Sequence, residues 1–186
     1  MRITRILKNK KGMTLVEVIV AITILVLLIG VGMSTLVTSN NLFIENASHA
    51  QCKQIGDAVL DFVANEIRYA GSVTIDGTMG GALVDGQERL YISADGSLIS
   101  EAGKLYYGNA DGDIDFYGDD FYAGTTLKLF IQGGSNTPTI RVTLLREDET
   151  VAYQNEQTLQ LPNCSVSGTS TDGFPTVITY TQPIIG

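Results

Sequence analysis

The chain has 186 residues, of which 12 are basic and 20 are acidic, giving a formal net charge of -8 and a mean hydropathy of +0.16. So acidic a chain is a poor candidate for a general nucleic-acid-binding protein, because neutralising phosphates requires a basic surface. Its 44% hydrophobic content excludes a wholly disordered chain. Apolar residues must therefore be concentrated in one part of this acidic protein.

The N-terminal region separates its charges from its apolar residues. The first 12 residues carry five positive charges and no negative one, and no charge occurs between Glu17 and Glu45. About 20 mainly apolar residues suffice to cross a bilayer as a helix, and basic flanks tend to stay cytoplasmic. A secretory signal peptide is the alternative, but its apolar core is usually only ~7 to 15 residues long. We therefore predict a single-pass segment in the cytoplasmic membrane, with the N-terminus inside and the remainder outside.

The border between the basic and apolar parts contains a recognisable motif. It reads Lys10-Lys11-Gly12-Met13-Thr14-Leu15-Val16-Glu17 and resembles the class III signal of type IV prepilins and pilin-like proteins. The resemblance implies that a prepilin peptidase cuts after Gly12 and methylates the new N-terminus at Met13. It also implies that Glu17 pairs with the N-terminal amine of a neighbouring subunit during assembly. The run from Thr14 to Ile22 looks more like minor pilins and pseudopilins than like major pilins.

Glu17 has two interpretations on physical grounds. A carboxylate within a spanning helix costs roughly 2.5 to 3.5 kcal/mol at full membrane depth unless it finds a partner, which the cationic amine of a cleaved N-terminus would supply. Alternatively, Thr14-x-x-Glu17 has the form of a capping box, in which Glu17 would serve only the helix N-terminus. The leader, Gly12 and the apolar run together favour the assembly role.

The resemblance further implies a structural protein with a defined set of partners. These are the prepilin peptidase, other pilin subunits, a membrane platform protein, an assembly ATPase and, before assembly, the lipid bilayer; the final location is a filament at the cell surface. The alternative function is a permanently membrane-anchored extracellular domain that binds a surface ligand. An enzyme is the weakest hypothesis, because His49 is the sole histidine and no phosphate-binding loop is present.

The predicted fold is α+β and pilin-like. Apolar residues at 3-and-4 spacing continue as far as Ile67 with no intervening proline, which predicts one helix over residues 14–69. Residues 71–186 contain 16 of the 20 glycines and short alternating segments, which predict an antiparallel sheet packed on the helix. The predicted parts are a cytoplasmic leader (1–12), a membrane or filament-core helix (13–39), an amphipathic helical half (40–70) and an extracellular β-rich head (71–186).

Three hairpins are predicted within the head. Two surround Asp-Gly turns and join segments 89–93 with 97–100 and 104–107 with 114–117. The third joins segments 125–132 and 139–145, in each of which every second residue is apolar.

Two groups of residues are candidates for further sites. Asp111, Asp113 and Asp115 alternate, and carboxylate oxygens are ligands that calcium prefers; the alternative is a solvated strand face beside a turn. No other cofactor is predicted. Cys52 and Cys164, the only cysteines, both lie on the predicted outside, where a disulfide can persist. A bridge and two buried free thiols remain equal alternatives.

Overall fold

The computed structural model describes residues 13–77, 82–92, 103–115, 117–132, 136–162, 164–170 and 176–182. It contains one long helix, α1 (Leu15–Arg68), followed by strands and a short 3₁₀ helix, Asp119–Tyr122. The chain divides into two compact units, Met1–Ala47 and Ser48–Gly186. The strands are β1 (Ser72–Asp76), β2 (Gln87–Ile92), β3 (Leu105–Asn109), β4 (Gly112–Asp115), β5 (Thr126–Gln132), β6 (Thr139–Leu145), β7 (Val151–Thr158), β8 (Ser165–Ser167) and β9 (Val177–Thr181).

The helix confirms the sequence prediction to within one residue at each end. Its described residues up to Ala47 are all exposed, whereas from Cys52 onward it buries one face. The buried positions recur at the 3-and-4 spacing of a single helical face. They are Cys52, Ile55, Gly56, Val59, Leu60, Val63, Ala64 and Ile67.

The strands form two sheets rather than one. A six-stranded sheet has the order β4-β3-β2-β9-β1-β8, and a three-stranded antiparallel sheet has the order β5-β6-β7. Within the larger sheet, β1 pairs in parallel with β8 and antiparallel with β9. The α+β, pilin-like arrangement is confirmed, and the parallel pair β1–β8 is a departure from the expected antiparallel pairing of the head. Pairing between segments so distant in sequence leaves no turn signature that the sequence could reveal.

Two of the predicted hairpins are confirmed. β3 and β4 pair antiparallel, with Asn109 opposite Gly112. The Asn109 side-chain oxygen accepts hydrogen bonds from the backbone N–H groups of Asp111 (2.9 Å) and Gly112 (3.1 Å). Gly112 has φ = 145°, a conformation that favours glycine. β5 and β6 form the other hairpin, with Thr126 opposite Leu145 and Gln132 opposite Thr139.

The remaining hairpin, between segments 89–93 and 97–100, is wrong in its pairing. Its first segment corresponds to β2, which pairs with β3 on one edge and β9 on the other. The second segment lies outside the described residues. The Asp-Gly turn signal acts only locally. Because β3 and β9 occupy the two edges of β2, neither edge is left for a hairpin partner.

The core joins the buried helix face to both sheets. In the three-stranded sheet, Leu127, Leu129 and Ile131 alternate with exposed or partly exposed residues, as do Ile140, Val142 and Leu144. A close approach occurs at Gly56, where an added Cβ would lie 2.5 Å from Cδ1 of Tyr153. The absence of a side chain at Gly56 therefore lets the Tyr153 ring lie directly against the helix.

Candidate functional site

The first candidate site is the exposed apolar surface of the N-terminal unit. Between Met13 and Ile44, 20 large apolar side chains are 36% to 78% exposed. All of them except Met13 belong to α1, which is long and apolar enough to cross a membrane, judged by its length and composition. So much apolar surface marks a segment that lipid or protein covers in its working state.

The polar groups of this segment are largely satisfied within the helix itself. The hydroxyls of Thr23, Ser34, Thr35 and Thr38 donate to backbone carbonyls three or four residues earlier, at 2.8 to 3.0 Å. A hydroxyl bonded in this way can enter an apolar environment at lower cost than a free one. The segment therefore suits either a bilayer or a packed bundle of helices.

Glu17 lies in the first turn of α1, where the sequence left two interpretations of its carboxylate. The Thr14 side-chain oxygen accepts a hydrogen bond from the Glu17 backbone N–H at 3.3 Å, so Thr14 caps the helix. The reciprocal half of a capping box is absent, because no donor from the residues described in the structure reaches the exposed Glu17 carboxylate. Thr14 thus provides the cap in this structure, and the pairing of Glu17 with a neighbouring N-terminus stays a prediction.

The two residues of the predicted cleavage site fall on either side of the described boundary. Met13 is 71% exposed and precedes the helix, whereas Gly12 lies outside the described residues. A model of the prokaryotic N-terminal methylation motif matches residues 7–33. This segment is a type IV prepilin-like class III signal. No curated protein and no solved structure matches the chain.

The prepilin-like signal implies N-terminal processing by a prepilin peptidase and assembly with other pilins. The motif belongs to structural proteins rather than to enzymes. Together with the long apolar helix, it fits a pilin-like protein that is first membrane-anchored and then surface-exposed. The signal occupies a small part of the chain and includes no residue of the second unit.

The aspartates proposed for calcium are not gathered into a binding cluster. Asp111 lies in the β3–β4 turn and Asp115 near the end of β4, both exposed. Asp113 instead lies 3.5 Å from Nε of Arg89 on β2. Within the described ranges, no group of three or more His, Cys, Asp or Glu side chains could hold a metal ion. Calcium binding at these residues stays a prediction.

The two cysteines both belong to the hydrophobic core of the second unit. Cys52 lies on α1 and Cys164 just before β8, 5% and 6% exposed respectively, and both are free thiols in this structure. Burial raises the pKa of Cys164, which lowers the fraction of reactive thiolate. Two buried free thiols are one of the two alternatives that the sequence left open, and the disulfide between Cys52 and Cys164 stays a prediction.

A polar network that sequence reasoning missed connects α1 to β7. Asp57 accepts hydrogen bonds from Lys53 Nζ (2.6 Å), Tyr153 OH (2.7 Å) and Asn155 Nδ2 (2.8 Å). The hydrogen bond from Lys53, followed by that from Tyr153, holds the pKa of Asp57 below its usual value. The Lys53–Asp57 spacing of four residues is a visible sequence signal, whereas the two contacts from β7 depend on tertiary structure.

We expect the Asp57 network to contribute pH-dependent stability to the second unit. Because the folded-state pKa of Asp57 is below its unfolded-state value of about 3.9, ionised Asp57 stabilises the fold at any pH above about 3.9. This stabilisation is lost as the pH falls through the folded-state pKa. Asp57→Asn should lower the free energy of unfolding by about 1 to 2 kcal/mol at neutral pH, since Asp57 is partly solvated. The difference between variant and unsubstituted protein should shrink below about pH 4.

Denaturant unfolding of the full chain in detergent across this pH range measures the effect. Asp61→Asn is a matched control, because Asp61 lies one turn further along α1 and is exposed. A loss of stability that is equal at low and neutral pH would contradict the electrostatic origin of the effect.

Proposed function

We propose that this protein is a structural subunit of a type IV pilus or related filament, with a minor pilin or pseudopilin favoured. A prepilin peptidase cuts after Gly12, and the amine of Met13 is methylated. Before assembly, the apolar helix lies in the cytoplasmic membrane with its N-terminus inside and the second unit outside. The observation that carries this proposal is the methylation motif over residues 7–33, placed directly at the start of an exposed apolar helix.

The mechanism is assembly rather than catalysis. Leaving the bilayer is energetically tolerable only if the apolar helix enters an equally apolar filament core, because burial of such a surface contributes roughly 25 cal/mol per Å². In that core an unpaired carboxylate at Glu17 would be unfavourable, so it pairs with the methylated amine of a neighbouring Met13. This pairing gives each new subunit a defined axial position.

Assembly also requires partners that the chain does not provide. A cytoplasmic ATPase supplies the energy for extraction, and a membrane platform protein transmits it to the subunit. Direct binding of nucleic acid by this subunit is disfavoured, since residues 71–186 carry 5 basic and 15 acidic positions.

We expect mass spectrometry of the protein from its native host to find a chain that starts at N-methylated Met13. Gly12→Val should abolish this processing, because a β-branched side chain restricts the backbone that the peptidase must accommodate. Gly30→Ala is a suitable control, since no atom lies within 4 Å of a Cβ added at Gly30. An intact, unmethylated Met1 start in the native host would instead favour the permanently anchored binding domain.

A further inference from the structure

The outer face of the three-stranded sheet carries two basic side chains, one of which is ion-paired with Glu156. Lys128 and Phe130 on β5 point away from the buried face, as does Arg141 on β6. Phe130 is directly opposite Arg141, and the Arg141 guanidinium lies over the Phe130 ring, 5.2 Å from its centroid. We refer to Lys128, Phe130 and Arg141 as the cationic face.

The cationic face is unusual in this protein because basic residues are scarce. Residues 71–186 contain only five of them, so this small surface holds two of the five. Arg141 pairs through Nε with Glu156 at 3.1 Å, while Lys128 is exposed and has no ion-pair partner among the residues that the structure describes. An exposed cation on the same strand face as an aromatic ring that already contacts Arg141 is suited to an acidic protein surface.

A complementary surface lies on the six-stranded sheet. Strand β4 is at the edge of that sheet and every one of its residues is exposed. Asp111 and Asp115 have no ion-pair partner in the described part of the chain, in contrast to Asp113, which is engaged by Arg89. Ile114 is 56% exposed and adds an apolar contact. We refer to Asp111, Ile114 and Asp115 as the acidic edge.

Net charge explains why these two surfaces should meet between copies. Removal of the leader leaves 7 basic and 20 acidic residues, or -13, so identical subunits repel one another unless specific contacts offset the repulsion. Placing the cationic face against the acidic edge of the next copy adds a local attraction that offsets part of this repulsion. Because the two surfaces differ, the contact is heterologous and can propagate along a filament.

We propose that the cationic face of one subunit docks on the acidic edge of a second copy of this chain in the assembled filament. This contact rests on the proposed function, and it assigns a role to two surfaces of the second unit that the N-terminal signal does not involve.

Disulfide trapping in the full chain tests the geometry of this contact. A chain carrying both Lys128→Cys and Asp111→Cys, oxidised in intact filaments, should give a ladder of dimers, trimers and larger species. The unsubstituted chain, whose two native cysteines are buried, provides the background. A double variant that gives no more than this background would overturn the proposal. Covalent dimers from the Lys128→Cys single variant would also overturn it, because they would show that the cationic faces of two copies meet each other.

Charge reversal tests the energetics. Lys128→Glu should lower filament yield about three- to tenfold, since an exposed attractive pair is replaced by a like-charge contact. Combining it with Asp111→Lys and Asp115→Lys should restore most of the yield, because the attraction between position 128 and the acidic edge is then re-formed with its charges exchanged. Arg68→Glu makes the same charge change in the last turn of α1 and should leave the yield near normal. Failure of the combined variant to recover would contradict the docking.

The same samples separate this proposal from the proposed function. If the subunits are cut after Gly12 and assemble normally, and if no charge reversal changes the filament yield, the docking proposal is wrong while the proposed function stands. If the unsubstituted chain is neither processed nor assembled, the proposed function fails as well. If Lys128→Glu releases the protein from vesicles of anionic phospholipid but leaves filament yield unchanged, the partner is a lipid surface and the docking between copies is wrong.

Discussion

Replacing Glu17 with alanine should leave cleavage after Gly12 intact and lower the fraction of assembled subunits by roughly tenfold or more. Tenfold corresponds to about 1.4 kcal/mol, which is less than the expected cost of leaving a methylated amine without its counter-charge in an apolar core. The helix itself should persist, because Thr14 caps it through the Glu17 backbone N–H rather than through the carboxylate. Helix loss is therefore not expected to explain the defect.

The Glu17 experiment compares cleaved protein in the membrane with protein in sheared filaments. Glu17→Gln keeps the size of the side chain and removes its charge, so it should behave like Glu17→Ala if the ion pair is what matters. Glu45→Ala is the matched control, because Glu45 is also an exposed glutamate of α1. Normal incorporation of both Glu17 variants would show that the carboxylate has no role in assembly.

A second large effect is expected in the core, at the junction between α1 and the three-stranded sheet. Leu144 is fully buried and belongs to the same hydrophobic cluster as Ile55 and Val59 of α1. Leu144→Ala removes this packing and leaves a cavity, which typically costs about 2 to 5 kcal/mol. In a chain of this size we expect Tm to fall by roughly 5 to 15 °C.

Thr143→Ala is the control for Leu144→Ala. Thr143 is the adjacent residue of β6 and lies on the outer face opposite Lys128, so its truncation should change stability by less than about 1 kcal/mol. Thermal unfolding of the two full-length variants in the same detergent gives the comparison. Equal Tm values would contradict the description of Leu144 as a residue that holds the sheet to the helix.

Some features of this protein follow from local sequence signals. The bounds of α1 depend on apolar periodicity, the absence of proline and the cap at Thr14, all of which act within a few residues. The β3–β4 hairpin depends on Asn109 and Gly112, which make the turn by short-range hydrogen bonds and a positive φ. The processing signal around Gly12 is likewise a short linear motif, and its match is confirmed over residues 7–33.

Other features required the tertiary structure. β1 lies between β8 and β9, and its Val73 is opposite Val166 of β8 and Tyr180 of β9. β2 pairs with β9 rather than with the segment that follows β2 in the sequence. Such pairings join residues that are roughly one hundred positions apart, so no local turn specifies them. The division into two sheets follows from the same long-range pairings.

The sequence alone determined the N-terminal signal, the long apolar helix and the β-rich character of the remainder, because each depends on local composition and periodicity. Only the tertiary structure decided which polar residues meet. Asp57 connects α1 to Tyr153 and Asn155, Asp113 pairs with Arg89, and Lys128 and Arg141 share an exposed face with Phe130. These contacts depend on strand register and on sheet packing, since a shift of one residue would turn each side chain to the opposite face.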